Sequence, residues 1–284
     1  MAAKAKKRAK AKVIPAKAKP AKPAPPKRTG MDTAKIAAAF DAVKKTGARK
    51  PAEKRVRTGI QGLDSVLNGG FENGAVVVVT GGPGTGKSTV GLQFLYNGAT
   101  QYGENGMYIT FEEQKQTILR HAKKFGWDLA RLEEEKKVVF IEYPPHEVDR
   151  FFAEGGLIED MIRQHSIKRI VIDSMTSFLM LYDNEYRRRQ AFLKTMETLR
   201  RWGCTALLTA EGEVRQDGNV STHFGIEFLS DGLIALHTVH VRDTVEIAME
   251  VVKMRGVSYE HRLVPIRFTA KGIAAFPVQH VLTP

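Results

Sequence analysis

Residues 75–89 read AVVVVTGGPGTGKST. The apolar run over 75–79 offers no alternate polar positions to solvent, so it reads as a strand buried on both faces, and it empties into a glycine-rich turn that opens a helix at Ser88. The turn matches G-x-x-x-x-G-K-[ST] at Gly81, Gly86, Lys87 and Ser88. Glycines let backbone N–H groups approach phosphate oxygens, and the helix N-terminus adds partial positive charge where the anion sits. Gly82, Pro83, Gly84, Thr85, Gly86, Lys87, Ser88 and Thr89 are therefore the expected nucleotide cradle. Lys87 is expected on the β- and γ-phosphates and Ser88 on Mg²⁺.

Working outward, strands and helices alternate. Residues 106–111 (GMYITF), 138–141, 170–172 and 205–209 read as strands. Helical spacing of apolar residues marks the segments between them, including Ile118, Ala122 and Phe125, then Phe192, Met196 and Leu199. Such alternation predicts an α/β fold with a mainly parallel sheet, wound right-handedly and covered by helices on both faces. Past residue 225 the segments 232–237, 245–254 and 263–268 follow one another closely, which predicts antiparallel strands extending one edge. Before the loop, TGIQGLDSVLNGG over 58–70 reads as turn, short helix and turn. Trp127 and Trp202 read as core or interface residues.

Asp173 closes the apolar strand RIVIDS, where a carboxylate can orient Mg²⁺ and its water shell. Glu112 and Glu113 follow the next strand after the phosphate loop; ligands of open parallel sheets bind beyond the carboxyl ends of strands, so either can activate the attacking water. The pair also suits plain helix N-terminal charge ahead of Gln114. Thr209 and Glu211 can sense a γ-phosphate or simply cap a loop. Residues 211–223 read as a polar loop, and Arg187, Arg188 and Arg189 as a solvated face or subunit contact.

The net charge of +13 divides unevenly. Residues 1–57 hold 19 Lys and Arg against Asp32, Asp41 and Glu53, a net +16, which leaves −3 for the remainder. The slightly acidic remainder gives no whole-domain argument for nucleic acid. Residues 1–56 are rich in Ala, Lys and Pro and are expected to be a disordered basic tail, either an arm for nucleic acid or another polyanion or a solubilising extension, with a short helix near 33–45. Residues 57–284 form the expected folded domain. No apolar run is long enough to span a membrane, no secretory signal is apparent, and the lone Cys204 excludes an internal disulfide, so a cytoplasmic location is expected.

Taken together, TGIQGLDSVLNGG, GGPGTGKST, YITFEEQ, FGWDL, RIVIDSMTSF and VVKMRG with FTAKGI, spread over residues 57–277, resemble the KaiC family of RecA-superfamily ATPases. The resemblance implies a RecA-like P-loop NTPase core that binds ATP and Mg²⁺, hydrolyses ATP, assembles as a homo-oligomer (commonly a hexameric ring) and acts on a protein partner in signalling or regulation. It also implies that Lys253 and Arg255 reach the neighbouring subunit's nucleotide, where a cation stabilises charge on the γ-phosphate. Spaced two apart on a strand, both side chains are expected on one face. The chain departs from the family's clock protein at Val257 and Tyr259, where Thr and His follow the Lys-x-Arg, and it carries one phosphate loop where that protein has two. Circadian function and self-phosphorylation are not carried over. The alternative reading is a RecA-like DNA-dependent ATPase or recombination accessory protein with the tail as its DNA arm.

Overall fold

The computed structural model describes residues 55–143, 155–214, 220–241 and 244–279. The basic tail through residue 54, with its expected helix at 33–45, lies outside the described residues, as do 215–219 of the expected loop at 211–223.

The apolar run becomes β3 (Val76–Gly81), buried at all six positions. It lies at the centre of the sheet because parallel strands flank it on both sides: β7 (Thr205–Val214) and β9 (Gly232–Val241). Beyond β7 the parallel set continues through β6 (Arg169–Asp173), β4 (Gly106–Thr110) and β5 (Val138–Glu142). Beyond β9, β10 (Thr244–Met254), β11 (Leu263–Thr269) and β12 (Gly272–Ala275) add on antiparallel. The order is β12-β11-β10-β9-β3-β7-β6-β4-β5. A separate ribbon pairs β1 (Arg55–Val56), read from sequence as the end of the tail, with β2 (Phe71–Glu72).

The antiparallel hairpins expected past residue 225 form, β9 with β10 and β10 with β11, and β9 joins the main sheet parallel to β3; residues 223–231, with a 3₁₀ turn at Ile226–Phe228, carry the chain back to the amino end of the sheet first. One sequence expectation is corrected here: within the segment read as a loop at 211–223, residues 211–214 end β7 and pair with β8 (Val220–Thr222). Gly212 permits this, since a β-carbon there would sit 2.2 Å from Thr80 Oγ1.

Strand alternation divides β3 between two cores. Val77 and Val79 face α2 (Lys87–Asn97), α3 (Lys115–Lys123) and α4 (Leu129–Glu134), in one cluster with Phe94, Ile118, Leu129 and Trp127. Val76 and Val78 face α5 (Leu157–Gln164), α6 (Met175–Met180) and α7 (Glu185–Trp202), with Ile158, Phe178 and Phe192. Trp202 is half-buried against this second cluster.

The TGIQGLD stretch is a structural clasp. Asp64, in the short helix α1 (Leu63–Val66), accepts from Thr58 N at 2.7 Å, Thr58 Oγ1 at 2.8 Å and Gly59 N at 3.0 Å. Gly62 has φ of 79°, and a β-carbon there would meet Ala275 O at 2.1 Å, so this turn seats directly on β12. Arg169 opens β6 fully buried. Its guanidinium pairs with Glu104 at 2.7 Å, donates to Phe94 O and Arg57 O at 2.8 Å, and lies 4.4 Å from the Phe94 ring centroid.

Candidate functional site

The loop after β3 turns back through Gly86, the residue preceding α2, at φ of 100°. A β-carbon there would meet Phe268 and Ile273 at 2.8 and 2.9 Å, so a side chain is excluded by backbone conformation and by neighbours alike. No side chain caps α2, and its first amides are left for an outside acceptor. Pro83 and Gly84 are exposed at the tip, Gly82 and Thr89 are half-buried, and Thr85 Oγ1 donates to Gly82 O at 2.9 Å, tying the loop to itself. Lys87 folds back over the loop, its Nζ donating to the carbonyls of Gly81 and Gly82 at 2.9 Å each. Burial pulls the pKa of Lys87 down, while the carboxylates of Glu211, Asp173 and Glu112 oppose that shift.

Those carboxylates arrive from three strand ends. Asp173 ends β6 and accepts hydroxyl hydrogen bonds from Tyr108 on β4 and Thr209 on β7. Ser88 lies close enough to the same phenol to favour its ionised form, which places the expected metal pair on either side of Tyr108. Glu112 leaves β4 toward Ser174, whose Oγ donates to it at 3.2 Å. Glu113 pairs with His121 of α3 at 3.2 Å. The structure thus separates two neighbours that sequence left equivalent. Glu211 stands in register with Gly81 on the adjacent strand, its amide donating to Thr176 Oγ1 at 2.8 Å and its carboxylate 3.4 Å from His223. A cleft of about 320 Å³ opens beside Gly81 and Gly82, bounded by Leu236, His237 and Thr238 of β9.

Lys253 and Arg255 do not join this group. A bulge between Val251 and Lys253 shifts the β10 register, the strand ends at Met254, and Lys253 stands opposite Leu233, near the amino end of β9. Lys253 Nζ donates to the carbonyls of Glu227, Phe228 and Ser230 at 3.2, 3.2 and 2.6 Å, and Arg255 pairs with Asp231 at 3.5 Å. Both cations therefore converge on the turn at 227–231. Val257 is buried and Tyr259 donates to Val252 O at 3.1 Å, so these two are packing residues in this chain. The arginine run is engaged locally: Arg187 pairs with Asp183 at 3.6 Å, and Arg188 donates to Tyr182 O at 3.0 Å and lies over Phe224.

Sequence reasoning passed over Tyr108 and Arg169. Each had a signal, a polar-tipped or charged residue inside an otherwise apolar strand, which burial obliges to find partners. The donor set suits Mg²⁺ held with a nucleotide, where one hydroxyl and one carboxylate supplement phosphate oxygens and water; among the described residues no cluster of three or more His, Cys, Asp or Glu offers a self-sufficient metal cage. Among the described residues no helix is long and apolar enough to cross a membrane.

Comparison with known proteins agrees with the fold and the loop. The family described as "ATPase: KaiC" matches residues 56–280. The chain is 34% identical over 231 residues to the circadian clock oscillator protein KaiC of Synechococcus elongatus, covering 79% of this chain and 44% of that protein. It is 34% identical over 233 residues to the KaiC of Thermostichus vulcanus, again 79% and 44%. The chain thus spans less than half the length of these curated relatives. A solved KaiC-like protein from the archaeon Pyrococcus horikoshii OT3 superposes with a TM-score of 0.72 at 33% identity, covering 79% of this chain and 99% of that one. A phosphate loop at the carboxyl end of a central parallel strand, in a sheet extended by antiparallel strands, and a family match running from β1 to the last described residues together assign the chain to the KaiC ATPases of the RecA-like P-loop superfamily.

Proposed function

We propose that this chain binds ATP with Mg²⁺ and hydrolyses it to ADP and phosphate at a site completed by a neighbouring copy. The observation that carries this reading is the convergence of Lys87, Glu112, Asp173 and Glu211 on one loop at the carboxyl ends of β3, β4, β6 and β7. Gly82 to Thr89 hold the phosphates through backbone amides and the start of α2, and Lys87 exchanges its two carbonyl acceptors for β- and γ-phosphate oxygens. Ser88 and Asp173 would hold Mg²⁺, which would supply charge neutralisation to the triphosphate. Glu112 takes a proton from the attacking water as the water oxygen bonds to the γ-phosphorus and the bond to the bridging oxygen breaks, releasing ADP. Lys253 and Arg255, on the far end of their own sheet, serve the next subunit's γ-phosphate. A role in signalling through a protein partner follows from the family alone.

The test is light-scattering mass with and without Mg·ATP on wild type and Arg255→Ala, with ATP turnover read on the same samples. Assembly by ATP, with Arg255→Ala assembling but losing most turnover, is the expected result. A monomer that hydrolyses ATP at the wild-type rate refutes the shared site.

A further inference from the structure

Tyr108 lies in β4 opposite Val171 of β6, fully buried on the sheet face that packs against α2. Phe140 lies 5.8 Å from it, ring to ring, so the phenol is held by packing as well as by its strand. Its hydroxyl donates to Asp173 Oδ2, and Ser88, the first residue after Lys87 in α2, is near enough to act on the phenol. Thr209, fully buried on β7, donates to the other oxygen of Asp173, Oδ1. Each carboxylate oxygen is thus pinned by a buried hydroxyl from the strand on either side of β6. A carboxylate has about four acceptor positions, so two remain for a metal ion or its waters. Phenylalanine would fill the same volume, and packing alone gives no reason for the hydroxyl.

We propose that Tyr108 is a positioning residue. Its hydroxyl, with that of Thr209, fixes the Asp173 carboxylate in the orientation that Mg²⁺ of the bound nucleotide requires. Partners of metal-orienting carboxylates act in this way elsewhere, and their loss typically costs 10- to 100-fold in metal affinity. The inference rests on the nucleotide-and-magnesium reading of the site.

The test is calorimetric titration of the full chain with the β,γ-imido analogue of ATP, once in excess Mg²⁺ and once in EDTA, for wild type, Tyr108→Phe, Thr209→Val and Thr209→Ser. Wild type gains affinity from Mg²⁺. Tyr108→Phe and Thr209→Val each lose about tenfold or more of that gain with the EDTA affinity unchanged, and Thr209→Ser, which keeps the hydroxyl, restores it. If both hydroxyl-free variants keep the full gain, the inference is wrong. If they lose affinity equally in Mg²⁺ and in EDTA, the hydroxyls serve the fold and the inference is again wrong. A wild type with no gain from Mg²⁺ overturns the underlying reading and this one with it.

Discussion

Glu104→Ala is expected to damage this protein more than its place on the surface suggests. Glu104 is the sole carboxylate within salt-bridge distance of Arg169 among the described residues, at 2.7 Å, and the two ends differ in access: the Arg169 side chain is 0% exposed and Glu104 is 25% exposed. Removing Glu104 leaves a buried guanidinium without its counter-charge, whereas removing Arg169 leaves a carboxylate that can rehydrate. Burial already holds the Arg169 pKa below its usual value, against the pull of Glu104. Stranding one partner of a buried pair costs about 3–5 kcal/mol, and the two carbonyl contacts that Arg169 keeps argue for the lower part of that range. Arg169→Met forfeits the bond to Arg57 O, at about 1–3 kcal/mol, and the contact over Phe94, while recovering apolar burial; Phe94 O retains Gly98 N as a donor. In the Arg169→Met background, Glu104→Ala is expected to cost under about 1 kcal/mol, a coupling of roughly 2–3 kcal/mol. Urea unfolding of the four proteins measures it, provided the slopes match. A Glu104→Ala variant within about 1 kcal/mol of wild type, or one equally costly in both backgrounds, refutes the reasoning.

Two further expectations are simpler. Glu112→Gln should lower ATP turnover by about 10²–10⁴-fold, and Glu113→Gln, whose carboxylate is spent on His121, by far less; the reverse order in a steady-state phosphate-release assay removes Glu112 from its role. Cys204 is buried, and that burial pushes its thiol up to about 11 from 9.0, so the unfolded chain ionises first as pH rises. Native protein should resist thiol reagents at pH 8. The stability contributed by the protonated thiol, present below pH 9, should fall by on the order of 2 kcal/mol toward pH 11, and urea midpoints that decline as steeply in Cys204→Ala as in wild type contradict this.

Much of the fold was legible because the decisive signals are local. A strand apolar at every position, as in Val76 to Val79, announces burial on both faces, and the glycines of the loop announce backbone conformations that other residues avoid. What was not legible depends on long-range register. The hairpin pairing of β9 with β10 follows from their short connection, but nothing in residues 223–231 reveals that they return the chain to the amino end and set β9 parallel to β3. Glu112 and Glu113 are chemically identical in the sequence; their division of partners is set by where Ser174 and His121 arrive from other elements. Tyr108 sits in a stretch read only as a strand, and its role follows from Asp173, 65 positions away.

The placement of the cations carries an argument about assembly. Three carboxylates, Glu211, Asp173 and Glu112, already act on the single ammonium of Lys87, and a triphosphate adds more negative charge. In the proposed reaction the start of α2 and a divalent ion would offset part of this, and a cation lent by a neighbouring copy would offset more. Within one chain Lys253 and Arg255 are poorly placed to supply that charge. Gly81 pairs with Leu236 and Lys253 with Leu233, so Lys253 lies about 10 Å down the strands and two strands across from the loop, at about 4.8 Å per strand, with its ammonium turned toward Ser230. A two-fold dimer satisfies both sites only if the cations and the loop share one face, since the same patch must meet itself. Here the cations sit toward the amino end of the strands and the loop at the carboxyl end. If a neighbour completes the site as proposed through a head-to-tail contact, each subunit lends its cations to the next, and such contacts end only by closing into a ring or continue as a filament.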